Sequence, residues 1–264
     1  MLCPLCSSPN IADAIPKDPF LKKCGQCSIV FTHPFPQATA EVYDQNYYKI
    51  WNEEQYEKRL KLWARRLRMV KKFCSAGRLL DIGTGDGLFL RIAGEAGFDA
   101  SGTEISAAAV EAAKKWHHLK VELAPIEETH FPDGFFDVIT IWHVLEHVQD
   151  PWGMVVKSYH LLKPGGFLFC ATPNLNKYLS RAFYRTTHLR PFPFYSSRGE
   201  SHLFHFTEGT LLSLIRKAGF RVKRVGADFA AVRLRYQTFE GLSYILSIFS
   251  GHNWNENLLL VAQK

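Results

Sequence analysis

The stretch Leu80-Asp81-Ile82-Gly83-Thr84-Gly85-Asp86-Gly87-Leu88 constrains this 264-residue chain more than any other. Three glycines follow a short apolar run and precede a helical pattern. Glycine lets the backbone turn sharply and approach a ligand where a Cβ would obstruct it. The helix behind such a turn offers unpaired N–H groups to a polar or anionic partner. Strand, glycine turn and helix in that order predict a cradle for a nucleotide-like cofactor. The dinucleotide fingerprint needs its third glycine three positions after the second. Here that position is Leu88, and the third glycine comes one residue early, at Gly87. Asp81 ends the first strand, where an acid can meet a positively charged ligand. Glu104 closes the next strand, 21 residues after Gly83, about where a carboxylate accepts hydrogen bonds from ribose hydroxyls.

Strands are expected near 78–82, 99–103, 120–123, 136–141, 167–172, 221–226 and 258–262, with helices alternating among the first five. That alternation predicts an α/β fold, a Rossmann-like, seven-stranded, mostly parallel sheet with helices on both faces. Hydrophobic residues make up 47% of the chain, enough for a substantial core and against disorder. No apolar run approaches a membrane span of about 18 residues. The start, Met1-Leu2-Cys3-Pro4, lacks the basic and apolar regions of a signal peptide, which predicts a cytoplasmic protein.

Cys3-Pro4-Leu5-Cys6 and Cys24-Gly25-Gln26-Cys27 are two CxxC pairs separated by seventeen residues. The spacing predicts a four-cysteine structural zinc ribbon over residues 1–33, with Cys3, Cys6, Cys24 and Cys27 as ligands. Four thiolates leave no open coordination position for chemistry, and folding of so small a segment would draw on metal binding. Cys74 and Cys170 read as core residues. A connector rich in proline and aromatic residues follows, and residues 34–74 end in an amphipathic helix expected from about Glu53 to Phe73. Lys58 to Lys72 holds eight Lys or Arg. Leu60, Trp63, Leu67 and Val70 recur at helical spacing, so the basic residues are expected on the outer face, with the helix over the domain's entrance. The net charge of +7 and pI near 9.1 allow an anionic partner.

At this point the chain resembles the class I S-adenosylmethionine-dependent methyltransferases over residues 75–264. Beyond the glycine turn, Phe131 to Thr140 resembles the family's approach to its fourth strand, and Trp142-His143-Val144-Leu145-Glu146-His147 the segment after it. Leu161 to Gly166 resembles the turn before the fifth strand, and Phe206-Thr207 through Phe220 the late helix. The resemblance implies cofactor binding by Asp81, Gly83, Gly85, Gly87, Glu104, Ile105, Ile126, Glu127 and Trp142, and an inserted antiparallel last strand. Where many relatives carry an acid that pairs with the adenine amino group, this chain has Pro125. Adenine recognition is then expected from the Ile126 backbone, apolar packing or Glu127.

Methyl transfer requires in-line placement of an acceptor lone pair, exclusion of water and, for a hydroxyl, a base. His143, His202 and His205 are the candidate bases, histidine being poised near neutral pH. Some quinone O-methyltransferases hold a divalent cation with a related acidic and histidine segment, but His143 replaces its first acid. The long insertion 174–201 is expected to be a substrate lid at the carboxyl edge of the sheet. Phe229 to Gly251, rich in apolar residues, is expected to pack on the core or lid, with a membrane-surface helix as the alternative.

The expected activity is methyl transfer to a small-molecule acceptor, anionic or apolar: a glycan precursor, sugar or quinone-like and isoprenoid-like metabolite. The alternatives are an RNA methyltransferase gripping phosphates with the ribbon and basic helix, and a non-catalytic cofactor-binding adaptor. Acceptor atom and oligomeric state are not readable from the sequence.

Overall fold

The computed structural model describes residues 1–15, 18–35, 56–117, 119, 121–176, 202–228, 234–250 and 253–264. The expected connector over 36–55 and most of the expected lid, 177–201, lie outside the described residues. The central sheet has seven strands: β4 (Gly77–Ile82), β5 (Phe98–Glu104), β6 (Val121–Leu123), β7 (Phe136–Trp142), β8 (Leu162–Pro173), β10 (Arg221–Ala227) and β11 (Asn257–Gln263). Their order is β10-β11-β8-β7-β4-β5-β6. Six run in one direction, and β11 inserts antiparallel between β8 and β10, as the resemblance implied.

Side chains alternate across this sheet, because successive Cβ atoms of a strand point to opposite faces. Leu80, Ile139, Leu168, Cys170, Leu258 and Leu260 enter one core. Leu79, Val138, Phe169, Ala171, Leu259 and Val261 enter the other. Helices cover the faces: α1 (Tyr56–Lys71), α2 (Leu88–Glu95), α3 (Ala107–His117), α4 (Pro151–Leu161) and α5 (Glu208–Lys217), with α6 (Leu234–Ser250) late in the chain. Sequence dictates their starts. Asp150 caps α4 by accepting from the Gly153 N–H, with Pro151 in the first turn, and Thr207 and Thr210 form a reciprocal cap on α5. Leu242, Ile245, Ile248 and Phe249 of α6 face outward, which corrects the expected core packing for this part of 229–251. No described helix is long and apolar enough to cross a membrane.

The amino-terminal segment is not a separate bead. Strands β1 (Ile11–Ile15), β2 (Asp18–Cys24) and β3 (Val30–Thr32) form an antiparallel sheet whose fourth strand is β9 (Phe204–His205), just before α5. Cys3, Cys24, Ile29 and Phe31 are buried in the same core as Leu80, Leu145 and Phe206. The segment has little hydrophobic material in isolation; it gains a core by sharing one.

Helix α1 also departs from the sequence reading. Leu67 and Val70 are buried as expected, but so are Arg59 and Arg66, two of the basic residues placed on the outer face. Arg59 makes two hydrogen bonds of 2.7 and 2.6 Å to the Asp86 carboxylate, inside the glycine turn. Arg66 lies between the rings of Trp63 and Trp142, 4.8 and 4.7 Å from their centroids, and pairs with the buried Asp228 carboxylate. A carboxylate in each receiving site turns these arginines inward, since a buried charge is tolerated only when paired.

Arg66→Met leaves Asp228 without its guanidinium and is expected to cost about 3–5 kcal/mol of unfolding free energy. Adding Asp228→Leu is expected to recover most of that loss. Urea denaturation of the wild type, the single and the double variant measures both.

Candidate active site

Strand order reverses around β4, which pairs with β5 on one side and β7 on the other. Ligands of open α/β sheets bind at this crevice, outside the carboxyl ends of the strands. The ends here are Asp81-Ile82, Glu104 and Trp142. The Gly83 and Thr84 N–H groups both donate to the Thr103 carbonyl, folding the turn back over β5. Gly83, Gly85 and Gly87 have φ of 69°, 57° and 79°, the left-handed region that glycine adopts without a Cβ penalty. Their local reasons differ. A Cβ on Gly83 would lie 2.4 Å from Val144 Cγ2, and one on Gly87 would meet Leu119 at 2.7 Å and Ala113 at 3.0 Å. The outer two glycines thus serve packing as well as the turn.

Asp81 is buried and accepts a 2.6 Å hydrogen bond from the Thr140 hydroxyl. Burial outweighs that bond and pushes its carboxyl up to about 7. Glu104 is also buried; one oxygen accepts from the Gly85 N–H at 2.9 Å, the other from Ile105 at 2.8 Å and Ser106 at 2.9 Å. Burial raises its pKa against these three donors. The carboxylate expected to meet a ribose therefore also ties the glycine turn to β5. Ile105 is half exposed at the rim. Ile126 buries its side chain in the core, starting a short 3-10 turn, Ile126–Glu128, in which Glu127 is exposed. Trp142 packs against Phe89, Trp63 and the Arg66 guanidinium, its indole N–H without a hydrogen-bond acceptor.

Immediately after β7 the backbone enters the left-handed region at His143, φ 57°. Such strain in a non-glycine residue persists only where its surroundings over-determine it, and it gathers at functional sites. His143 Nε2 is 3.5 Å from the Asp228 carboxylate and Nδ1 is 3.5 Å from that of Glu146. Burial disfavours the imidazolium, but the two carboxylates outweigh it and raise the His143 pKa. Glu146 is buried, with one oxygen accepting from the Thr172 hydroxyl at 3.0 Å. Burial would raise its pKa, yet the imidazoles of His143, His147 and His202 bring it down to about 2. Arg66, Asp228, His143 and Glu146 thus form a chain of alternating charge running from α1 to the end of β7.

The structure brings His202 and His205 to the same edge. The His202 ring packs edge-on against His147 at 4.8 Å and lies 6.2 Å from His205. One ligand atom each from Glu146, His147 and His202 falls within a 4.8 Å cluster. His147, not among the candidate bases, belongs to this cluster as well. Asp228, Arg66 and Thr172 were missed. No local motif marks them, since they converge from α1, β8 and the end of β10. At the other end of the chain, Cys3 Sγ is 3.6 Å from Cys27 Sγ and Cys6 Sγ is 3.6 Å from Cys24 Sγ. All four sulfurs lie within 4.8 Å of one another, and the Gln26 and Cys27 N–H groups point at Cys24 Sγ. Cys170 is buried in the core as expected, whereas Cys74 is only partly buried.

Residues 52–225 match the model of a family described as a methyltransferase domain. A ubiquinone biosynthesis O-methyltransferase of Burkholderia ambifaria is 30% identical over 176 residues, covering 58% of this chain and 72% of that protein. The counterpart from Bordetella avium is 36% identical over 106 residues, 38% of this chain and 44% of its own length. Against several such relatives the aligned part thus spans under half of their length. Among solved structures, a SAM-dependent methyltransferase from Thermotoga maritima superposes with a TM-score of 0.59 at 22% identity, covering 86% of this chain and all of that one. A Burkholderia thailandensis 1,6-didemethyltoxoflavin-N1-methyltransferase superposes with a TM-score of 0.57 at 14% identity, covering 96% and 99%. The chain belongs to the methyltransferase-domain family. It shares its fold with solved S-adenosylmethionine-dependent methyltransferases.

Because Asp81 has a folded-state pKa near 7 against an ordinary 3.8, its stabilising contribution is full below the ordinary value and lost as pH rises through about 7. A cationic ligand set against Asp81 favours the ionised form. Adenosylhomocysteine, which keeps the amino acid ammonium, is expected to bind with release of a proton below about pH 7, its affinity rising by up to about tenfold per unit from pH 5 to 7. Calorimetric titrations in buffers of different ionisation enthalpy measure the proton release; Asp81→Asn is expected to abolish it.

Proposed function

We propose that this enzyme methylates a hydroxyl oxygen of a small hydroxylated aromatic or isoprenoid-like metabolite. The supporting observation is the polar edge after β7, where Glu146 meets the imidazoles of His143, His147 and His202. The similarity to ubiquinone biosynthesis O-methyltransferases favours this acceptor class over the sugar and glycan acceptors also weighed.

S-adenosylmethionine supplies a methyl group on a cationic sulfur. Asp81, the glycine turn and Glu104 would hold it, with Ile105 and Ile126 available to its adenine end. His143, whose pKa its two neighbouring carboxylates raise, would in its protonated form attract the acceptor oxygen as negative charge develops. His202, beside Glu146 and partly exposed, takes the hydroxyl proton, so that an oxygen lone pair would be free to bond the methyl carbon as its bond to the cofactor sulfur breaks and neutral adenosylhomocysteine leaves. Of the three candidate bases, His143 serves that role least, because both its ring nitrogens face carboxylates, Nδ1 that of Glu146 and Nε2 that of Asp228. A second arrangement of the same cluster is a divalent cation on Glu146, His147 and His202, one carboxylate and two imidazoles, in which His202 would be a ligand instead of the base. An ion held there would lower the pKa of a bound hydroxyl.

The convergence of four thiols fits a structural zinc ion at Cys3, Cys6, Cys24 and Cys27. We assign the ribbon to structure rather than to RNA. Lys58, Lys61, Arg65, Arg68, Lys71 and Lys72 still face outward on or beside α1, but nothing among the described residues adds a base-stacking platform to that charge.

Two experiments follow. Labelled S-adenosylmethionine is expected to methylate 3,4-dihydroxybenzoate or a prenylated catechol, and His202→Ala to lower kcat by about 10²- to 10⁴-fold, the range for loss of a general base. Methylation of RNA with none of the catechols would reject the acceptor class. The purified chain is expected to carry one zinc, and Cys24→Ser to lose it, with unfolding of β1–β3 because folding there is linked to metal. Metal analysis and amide hydrogen exchange report the two effects; a metal-free but protected β2 would contradict the assignment.

A further inference from the structure

The four-cysteine module touches both roots of the 177–201 insertion. On the amino-terminal side, Leu175 packs against Leu21 of β2 and Val30 of β3. On the carboxyl-terminal side, β9 is hydrogen-bonded to β3, with Val30 opposite His205 and Phe31 opposite Phe204. The roots are joined to each other by the Leu175 N–H donating to the Phe206 carbonyl at 2.7 Å. From the opposite side, the Leu203 and Phe204 N–H groups both donate to the Glu146 carbonyl, at 2.7 and 3.1 Å. Strand β9, which carries His205 and follows His202, is therefore gripped between the cysteine module and the loop that carries Glu146 and His147.

Thr32, the last residue of β3, makes the most specific contacts in that grip. It is 4% exposed. Its N–H donates to the Leu203 carbonyl at 2.9 Å. Its hydroxyl donates to the His202 carbonyl at 2.7 Å and lies 3.2 Å from His205 Nε2. A carbonyl only accepts, and a hydroxyl has one proton, so the Thr32 proton is committed to His202. Toward His205 the hydroxyl can only accept, and Nε2 must carry the hydrogen. In the neutral ring this leaves Nδ1 with the lone pair. One hydroxyl thereby fixes the path of the chain at His202 and the tautomer and orientation of the His205 ring.

We infer that the amino-terminal cysteine module forms a wall of the active site, with Thr32 as a positioning residue that sets His205 and the His202 backbone against Glu146. This rests on the acceptor-side reading given under Proposed function. The module's role is then neither substrate capture nor an independent fold: it supplies the β-strand on which the late histidines are registered. Thr32 contributes no reacting group, and its effect passes through the residues it holds.

Histidine ring N–H correlations in the full-length, zinc-loaded protein test this directly, with His205→Gln identifying the relevant signal. Wild type and Thr32→Ser are expected to show an exchange-protected His205 Nε2–H. Thr32→Val, nearly isosteric and still able to pair through its backbone N–H, is expected to lose it. In turnover of the catechol probe, Thr32→Val is expected to lower kcat roughly 10- to 100-fold, the scale of an ~1 Å misplacement. Its KM for S-adenosylmethionine should be unchanged, and Thr32→Ser should restore most of the rate. A protected His205 N–H in Thr32→Val, or a variant with wild-type kcat, overturns the inference. Calorimetry with adenosylhomocysteine separates the two levels. If the wild type does not bind it, the functional reading falls while the ring N–H result still judges Thr32. If binding is normal and the ring signal does not respond to the valine, only the positioning role falls.

Discussion

The buried guanidinium of Arg66 is the interaction on which the polar edge after β7 depends. It reaches from α1, before the methyltransferase sheet begins, to Asp228, after β10 near the other end of the chain. The carboxylate it neutralises is the one that faces His143. Isolated charges do not survive in such a setting; they persist by alternating, each compensating the next. Arg66, Asp228, His143 and Glu146 satisfy that requirement as a set. The set holds His143 in a strained backbone conformation at the end of β7. The rings of Trp63 and Trp142 flank the guanidinium, keeping water away and strengthening the electrostatics within.

A second clamp organises the cofactor side. Arg59 binds Asp86 within the glycine turn, while Glu104 accepts from Gly85 on the same turn. The loop is therefore fixed from both sides before any ligand arrives. Such preorganisation lowers the ordering cost that binding would otherwise carry. Helix α1 supplies the arginine of each clamp, which makes it part of the site rather than a cover over it. The cysteine module plays the matching part on the opposite face, registering the late histidines through β3 and β9.

Particular residues show where local reading succeeds. The period-two alternation in β7, β8 and β11 reflects a sheet buried on both faces, and apolar runs bounded by turns mark such strands without reference to anything distant. The Asp81 to Gly87 signature is legible for a similar reason: each glycine there answers a backbone demand within a few residues. The CxxC pairs are legible because ligand spacing is a local property. By contrast, the eight basic residues from Lys58 to Lys72 read as a solvated face, since a charge is ordinarily placed in water. Arg59 and Arg66 break that rule only because Asp86 and Asp228 wait 27 and 162 positions away.

The sequence by itself determined the approximate places of the seven strands, though β8 begins at Leu162 and not near 167, the glycine cradle with Asp81 and Glu104, and the four-cysteine spacing, because each is specified by residue type at short spacing. The tertiary structure alone decided which histidines meet, that His143 sits between two carboxylates, and that Thr32 of the cysteine module touches both His202 and His205. Those contacts join segments far apart in the chain. Their partners are chosen by burial and charge compensation, which only the folded arrangement fixes.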